Sequence, residues 1–198
     1  MIATMAMGRA TLLSRGARLL EGLQLGSRRR GRSAAVSVTQ SGLKIRPAED
    51  RDCAIVAEMA NDLARTTGIG DGGMTSHRVK RDLIDGQGLD LIVAEMDGMA
   101  QGYALYTVAY DTAHGVRGLY LSDLFVDTGA RRQGVGHALM AELAWRCRDD
   151  GGCFLWWIVM PGNLGAEAFY SSLGATADPP KAMAVHGGAF DALIQRRE

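Results

Sequence analysis

Residues 119–139, LYLSDLFVDTGARRQGVGHAL, combine an apolar strand, a polar turn and the spacing Arg131-x-x-Gly134-x-Gly136 at the start of a helix. Glycines at such a turn let the backbone close on a bulky anion with no Cβ in the way. The first amides of a helix have no partner within it and point at that anion. The chemistry this spacing allows is pyrophosphate binding. A glycine pair also serves strand-to-helix turns for geometry alone, so by itself the spacing leaves both readings open.

A second group of chemistry-bearing residues lies downstream. Asn163 follows Pro161-Gly162, and Phe169-Tyr170 precedes Leu173-Gly174. Asn163 can cap a helix as readily as it can hold a ligand amide. Tyr170 can pack as a boundary aromatic or supply a phenolic proton. Trp156 and Trp157 are neighbours on an apolar run, face opposite sides and read as core. His77, His114 and His186 have no partner identifiable from sequence, and Asp111 reads as a turn residue. Cys53, Cys147 and Cys153 are odd in number, with no C-x-x-C and no neighbouring histidine set, so neither a disulfide framework nor a metal site is expected.

Positioning these residues requires a set of elements that the hydrophobic pattern supplies. Residues 43–47 alternate apolar and polar and read as a first strand. Asp50 is placed to cap a helix running to about Thr66, with Ile55, Met59 and Leu63 on its apolar face. Residues 68–73, with Asp71 among glycines, form a loop before a second helix over 76–85. Residues 91–96 and 100–110 are strands joined by Asp97-Gly98, a hairpin signal. A strand over 119–126 feeds a helix over 134–150, and the run 153–160, CFLWWIVM, reads as a strand buried on both faces. A short helix over 164–173, a final strand over 182–186 and a terminal helix complete the chain. This order predicts an α/β fold, a mixed sheet with helices on both faces.

The chain of 198 residues is neutral overall, but the charge is unevenly placed. Residues 1–42 carry seven arginines (Arg9, Arg15, Arg18, Arg28, Arg29, Arg30 and Arg32) against Glu21, a net +6, which leaves −6 for residues 43–198. The first segment has few apolar residues to bury and is expected to be a basic, disordered extension to a single domain over 43–198. Its composition fits a transit peptide, a start codon placed too early, or a nucleic-acid arm that lacks interleaved aromatics. The acidic domain favours cationic ligands over nucleic acid. No run of about 18 apolar residues predicts a membrane span, and a cytoplasmic protein is expected.

The motif at Arg131, Gly134 and Gly136 behind LSDLFV, followed by Asn163, Ala168-Phe169-Tyr170 and Leu173-Gly174, resembles the GCN5-related N-acetyltransferase (GNAT) superfamily. Ile45-Arg46-Pro47-Ala48 with Asp52-Cys53, YALYTVAY and GLYLSDLFV resemble more narrowly its diamine (spermidine/spermine) acetyltransferase branch. The likeness covers residues 43 to about 195. It implies the acyl-CoA N-acyltransferase fold and acetyl-CoA as co-substrate, with no metal. It also implies that backbone groups of Leu124, Phe125 and Val126 pair with the pantetheine arm. Amides of Arg132, Gln133, Gly134, Val135, Gly136 and His137, led by Arg131, would cradle the pyrophosphate. Asn163, with Ala166 in the next turn, would meet the pantetheine amides, and Tyr170 would lie beside the thioester sulfur as catalytic acid. Ser122 and Asp123 occupy the substrate-binding positions.

The reaction so implied is direct attack by a primary amine of a small molecule, a diamine, a polyamine or an amino acid derivative. An alkyl ammonium near pKa 10.4 must first lose a proton. A small-molecule amine, no nucleic acid, no membrane and a homodimer are the expected partnerships. Protein or peptide N-acetylation and a non-catalytic CoA-binding module are the alternatives. The chain also departs from the diamine pattern, since Ser122-Asp123 stands where that branch has two adjacent carboxylates. Strand alternation would place Asp123 opposite Ser122, so it is not expected to replace the missing acid. The acidic cluster after the first helix is thinned to Asp71. Arg132 stands where glycine is common, which is tolerable at negative φ.

Overall fold

Among the described residues, six strands follow one another across a single sheet in chain order: β1 (Ser37–Val38), β2 (Lys44–Pro47), β3 (Asp90–Met96), β4 (Met99–Asp111), β5 (Val116–Val126) and β6 (Phe154–Trp156). The structure is a computed structural model that describes residues 37–38, 42–177, 185 and 187–195. Neighbours are antiparallel as far as β5, and β6 runs parallel to β5. The helices are α1 (Cys53–Thr66), α2 (Ser76–Arg78), α3 (Val135–Asp149), α4 (Leu164–Ser172) and α5 (Gly188–Gln195).

Successive side chains of β3 point to opposite faces, and both faces are covered, as its unbroken apolar run requires. Ile92 and Ala94 pack with Leu119, Leu121, Leu139 and Leu143 beneath α3. Leu91 and Val93 pack with Val56, Met59, Val79 and Tyr103 beneath α1 and α2. The mixed sheet with helices on both faces is the architecture expected from the sequence.

Local differences have physical causes. Asp50 does not cap α1; a 3₁₀ turn over Asp50–Asp52 precedes the helix, and Glu49 and Asp52 bond each other's backbone across it. Asp52 turns inward instead, to a buried Arg46, whose two terminal nitrogens donate to its carboxylate at 2.6 and 2.9 Å. Arg46 Nε also donates to Glu95 Oε2 at 2.6 Å. The second helix keeps α geometry only over Ser76–Arg78 and widens to a π-helix over Val79–Ile84, which buries Val79 and Leu83 against α1. β6 is three residues long, shorter than the run 153–160. Among the described residues it lies at the edge of the sheet with β5 on one side, and Ile158 and Met160 beyond it are nearly half exposed. Apart from Val185, the strand expected over 182–186 lies outside the described residues, as do residues 1–36.

Candidate functional site

The ladder between β5 and β6 ends early. Gly118, Leu119 and Tyr120 pair with Phe154, Leu155 and Trp156, and among the described residues no residue of β5 beyond Tyr120 pairs on that side. Residues 121–126 therefore stay bound to β4 on one edge and present the other edge unpaired. The amide of Asp127 donates to Gln101 O at 2.8 Å, which sets the alternation of the antiparallel pair. Phe125 is turned to Tyr103, while Leu124 and Val126 direct their backbone groups outward. The three residues expected to act together thus divide, and Phe125 supplies buried packing rather than a free amide. Arg131 Nε occupies the Val126 carbonyl at 3.1 Å, with its guanidinium 5.9 Å from the Phe125 ring centre. This brace uses Nε and leaves the two terminal nitrogens of the exposed guanidinium without a partner among the described residues.

The outward edge leads into the start of α3. Gly134 holds the N-cap position at φ +83°, with no side chain capping the helix. The first bond of the helix backbone is from Ala138 N–H to Gly134 O, at 2.9 Å. Among the described residues, the amides of Arg132, Gln133, Gly134, Val135, Gly136 and His137 have no acceptor. They form a run of donors at the positive end of the helix dipole, the arrangement that binds phosphate. Arg132 adopts φ +63° rather than the negative value expected of a side-chain-bearing residue, so the loop holds left-handed backbone there despite the missing glycine. Gln133 Nε2 bonds Gly129 O, and a Cβ added at Gly136 would come within 3.1 Å of the Phe169 ring. The second glycine is therefore a matter of close approach between α3 and α4.

Phe169 and Tyr170 reach the same apolar cluster from α4, together with Leu124, Val126 and Trp157. The Tyr170 ring lies 4.6 Å from Trp157 and 5.1 Å from Phe169, and the His137 ring stands edge-on to Phe169 at 5.2 Å. No hydrogen bond occupies the Tyr170 hydroxyl among the described residues, and burial pushes its pKa up to about 12. Asn163 caps α4, its Oδ1 accepting from the Ala166 amide at 3.1 Å. Ala166 therefore has no amide to offer a ligand, whereas the Asn163 side-chain nitrogen remains for one. Sequence reasoning read Trp157 only as core and missed that it fixes the Tyr170 ring.

Ser122 and Asp123 sit where the β4–β5 register slips: Leu105 faces Asp123, and Tyr106 faces Leu121, leaving Ser122 without an opposite residue. This is a β-bulge, and it breaks the strict alternation assumed from the sequence. Leu121 packs beneath α3, yet Leu124 joins it there, so the faces change parity across the bulge. Asp123 falls on the α1 side with Phe125 and accepts a hydrogen bond from Tyr103 Oη at 3.3 Å, while Ser122 is exposed. Burial pushes the Asp123 carboxyl above its ordinary range, against the opposing effect of Tyr103. Asp111, far along the hairpin, is committed to its turn: it accepts from the Ala113 amide and pairs with the His114 ring at 2.6 Å.

Bare amides at a helix start beside an outward strand edge offer backbone donors to an anionic ligand with an extended arm. The chain belongs to the acetyltransferase (GNAT) family, which it matches over residues 57–175. It is similar to the thialysine N-epsilon-acetyltransferase of Bos taurus, 32% identical over 143 residues that cover 66% of this chain and 82% of the relative. The thialysine N-epsilon-acetyltransferase of Sus scrofa is 30% identical over 164 residues, covering 77% and 94%. A solved integron cassette protein from the mobile metagenome of V. cholerae shares the fold, with a TM-score of 0.65 at 22% identity over 78% of this chain and 98% of that one. Among the described residues, no helix is long and apolar enough to cross a membrane.

Proposed function

We propose that this protein transfers the acetyl group of acetyl-CoA to a primary amine of a small molecule. The observation that carries the reading is the run of unpartnered amides from Arg132 to His137 at the uncapped start of α3. Acetyl-CoA, when bound, supplies an acetyl group activated as a thioester. The α3 amides hold its diphosphate, and Leu124 and Val126 pair with its arm along the open edge of β5. The Leu124 amide is the donor for negative charge developing on the acyl oxygen. Tyr170 keeps its proton at Oη throughout the neutral range and gives it on the sulfur side. Asp123 attracts the ammonium of the acceptor and takes a proton from it.

Two features support a small cationic acceptor. Residues 43–198 carry a net −6, and the relatives above are named for acetylating the epsilon amine of thialysine. The serine at position 122 argues against assigning polyamines in particular. Three free thiols suit a reducing compartment, and the reading places the reaction in the cytoplasm.

The test incubates the full chain with acetyl-CoA and, separately, thialysine, ornithine, spermidine, short diamines and peptides with free N-termini. Thiol release and acetylated product are measured. Release with at least one small amine is expected. Turnover of peptides alone would replace the small-molecule reading, and acetyl-CoA binding without thiol release from any acceptor would make the chain a binding module.

A further inference from the structure

The strand motif retains a single carboxylate, Asp123, and the bulge at Ser122 swings it to the face where Tyr103 is buried. We propose that Tyr103 is a positioning residue, whose hydroxyl donates across the β4–β5 ladder to hold Asp123 charged and aimed as acceptor of the ammonium proton. This rests on the role given to Asp123 in the proposed function and adds to it the residue that makes one acid sufficient.

The geometry is local and specific. Tyr103 is opposite Phe125 in register, and their rings stack at 6.4 Å with an interplanar angle of 28°. Tyr103 is 1% exposed, so packing fixes the ring and with it the hydroxyl, whose one hydrogen bond among the described residues goes to Asp123 Oδ2. The other Asp123 oxygen has no hydrogen-bond donor among the described residues and is left for the acceptor. Without the bulge, Asp123 would lie beneath α3 with Leu119 and Leu121, on the face away from Tyr103.

The energetics run in the direction the role needs. Burial favours the neutral acid at Asp123, and the hydrogen bond from Tyr103 is the opposing influence. Burial and the neighbouring charge hold the Tyr103 phenol well above its ordinary value, so it stays a donor at every working pH. The ionisable groups on the elements over this face are Cys53, Glu58, Asp62 and Arg65 of α1, His77 and Arg78 of α2, and Lys80, Arg81 and Asp82 of the π-helix. None of them contributes to the shift at Asp123. Arg65 pairs with Asp62, and Lys80 with Asp50 and Asp85.

Proton accounting closes. One ammonium N–H bond breaks and its proton passes to the Asp123 carboxylate, leaving the electron pair on nitrogen to form the C–N bond as the C–S bond breaks. The second proton leaves nitrogen as the amide forms and replaces the one that Tyr170 gives to sulfur. Asp123 then releases its proton to solvent.

The experiment records kcat/KM for the best amine against pH for the wild type, Tyr103→Phe and Asp123→Asn, with the melting temperature of each. Phenylalanine keeps the stacked ring and removes the donor. Tyr103→Phe is expected to move the acidic limb upward by about one pH unit, the scale of one hydrogen bond to a carboxylate. Above that limb its rate should rise to a plateau below the wild-type value, because the carboxylate is charged but less firmly aimed, with KM for acetyl-CoA unchanged. Asp123→Asn should lose about 100-fold at every pH. An inactive Asp123→Asn beside an unmoved limb in Tyr103→Phe overturns the role of Tyr103 while sparing that of Asp123. Full activity with a wild-type profile in Asp123→Asn overturns the Asp123 assignment and this inference with it, while acetyl transfer itself stands.

Discussion

Tyr170 owes its suitability as a proton donor to its surroundings: burial keeps it protonated, Trp157 and Phe169 fix its ring, and its hydroxyl has no protein partner among the described residues. Tyr170→Phe should lower kcat by about 100-fold, within the range of general acid catalysis, with KM for acetyl-CoA little changed. Steady-state kinetics on the best amine checks this, and unaltered turnover would remove Tyr170 from the chemistry. The places of Tyr170, Asn163 and the Arg131–Gly136 motif at helix starts and on helices were legible because turn residues and helical periodicity mark those elements; the roles expected of them came from the family resemblance. The contacts of Tyr103 and Trp157 were not legible. Each touches a residue elsewhere in the sequence, Asp123 and Tyr170, and only strand register or the seating of a helix brings such pairs together.

At the scale of elements, the start of α3 depends on left-handed backbone at Gly134, where φ is +83° and no atom would obstruct a Cβ. Gly134→Ala therefore meets a conformational penalty and no clash, about 1 kcal/mol. That predicts roughly fivefold weaker acetyl-CoA binding if the loop relaxes to avoid the strain, measured by calorimetric titration. Wild-type affinity would show that the loop geometry does not matter to the ligand. The hairpin at Asp97-Gly98 and the bounds of α1 and α3 were close to what periodicity and turn residues indicate. The bulge at Ser122 and the π-helix were not legible, because a single extra residue leaves no mark on an apolar pattern and is set by the neighbouring strand or helix. β6 misled for a related reason: an apolar run gives its burial tendency, but not where its partner strand diverges.

Across the whole molecule, the face beneath α1 is tied to the sheet by Arg46, which joins Asp52 at the helix entrance to Glu95 on β3. Both members of the Arg46–Asp52 pair are 3% exposed, so Asp52→Ala leaves the buried Arg46 with Glu95 as its remaining acidic partner and should destabilise the protein by about 3 kcal/mol, the low end for breaking a buried pair, read as a loss in denaturant midpoint. Burial alone would raise the Asp52 carboxyl, but the bonds from Arg46 and the Glu49 amide outweigh it and leave the group below its ordinary value. Glu95 is lowered too, by its bond to Arg46. A carboxylate with a depressed folded pKa contributes stability above its unfolded value and loses it as pH falls, so stability should decline below about pH 4. Asp52→Ala should flatten that decline. The division of charge between residues 1–42 and the remainder was plain in the sequence, yet it says nothing of how one arginine links two elements. The same scale holds the central claim, that one sheet edge and one helix start jointly bind a diphosphate-bearing donor. Amide correlation spectra of the ¹⁵N-labelled full chain during titration with CoA test it most directly. The amides of Arg132 to His137 should shift together and saturate with CoA, and stay still with acetyl-pantetheine, which lacks the diphosphate. Saturable CoA binding that leaves those six amides unmoved, or an equal response to both ligands, would contradict the account.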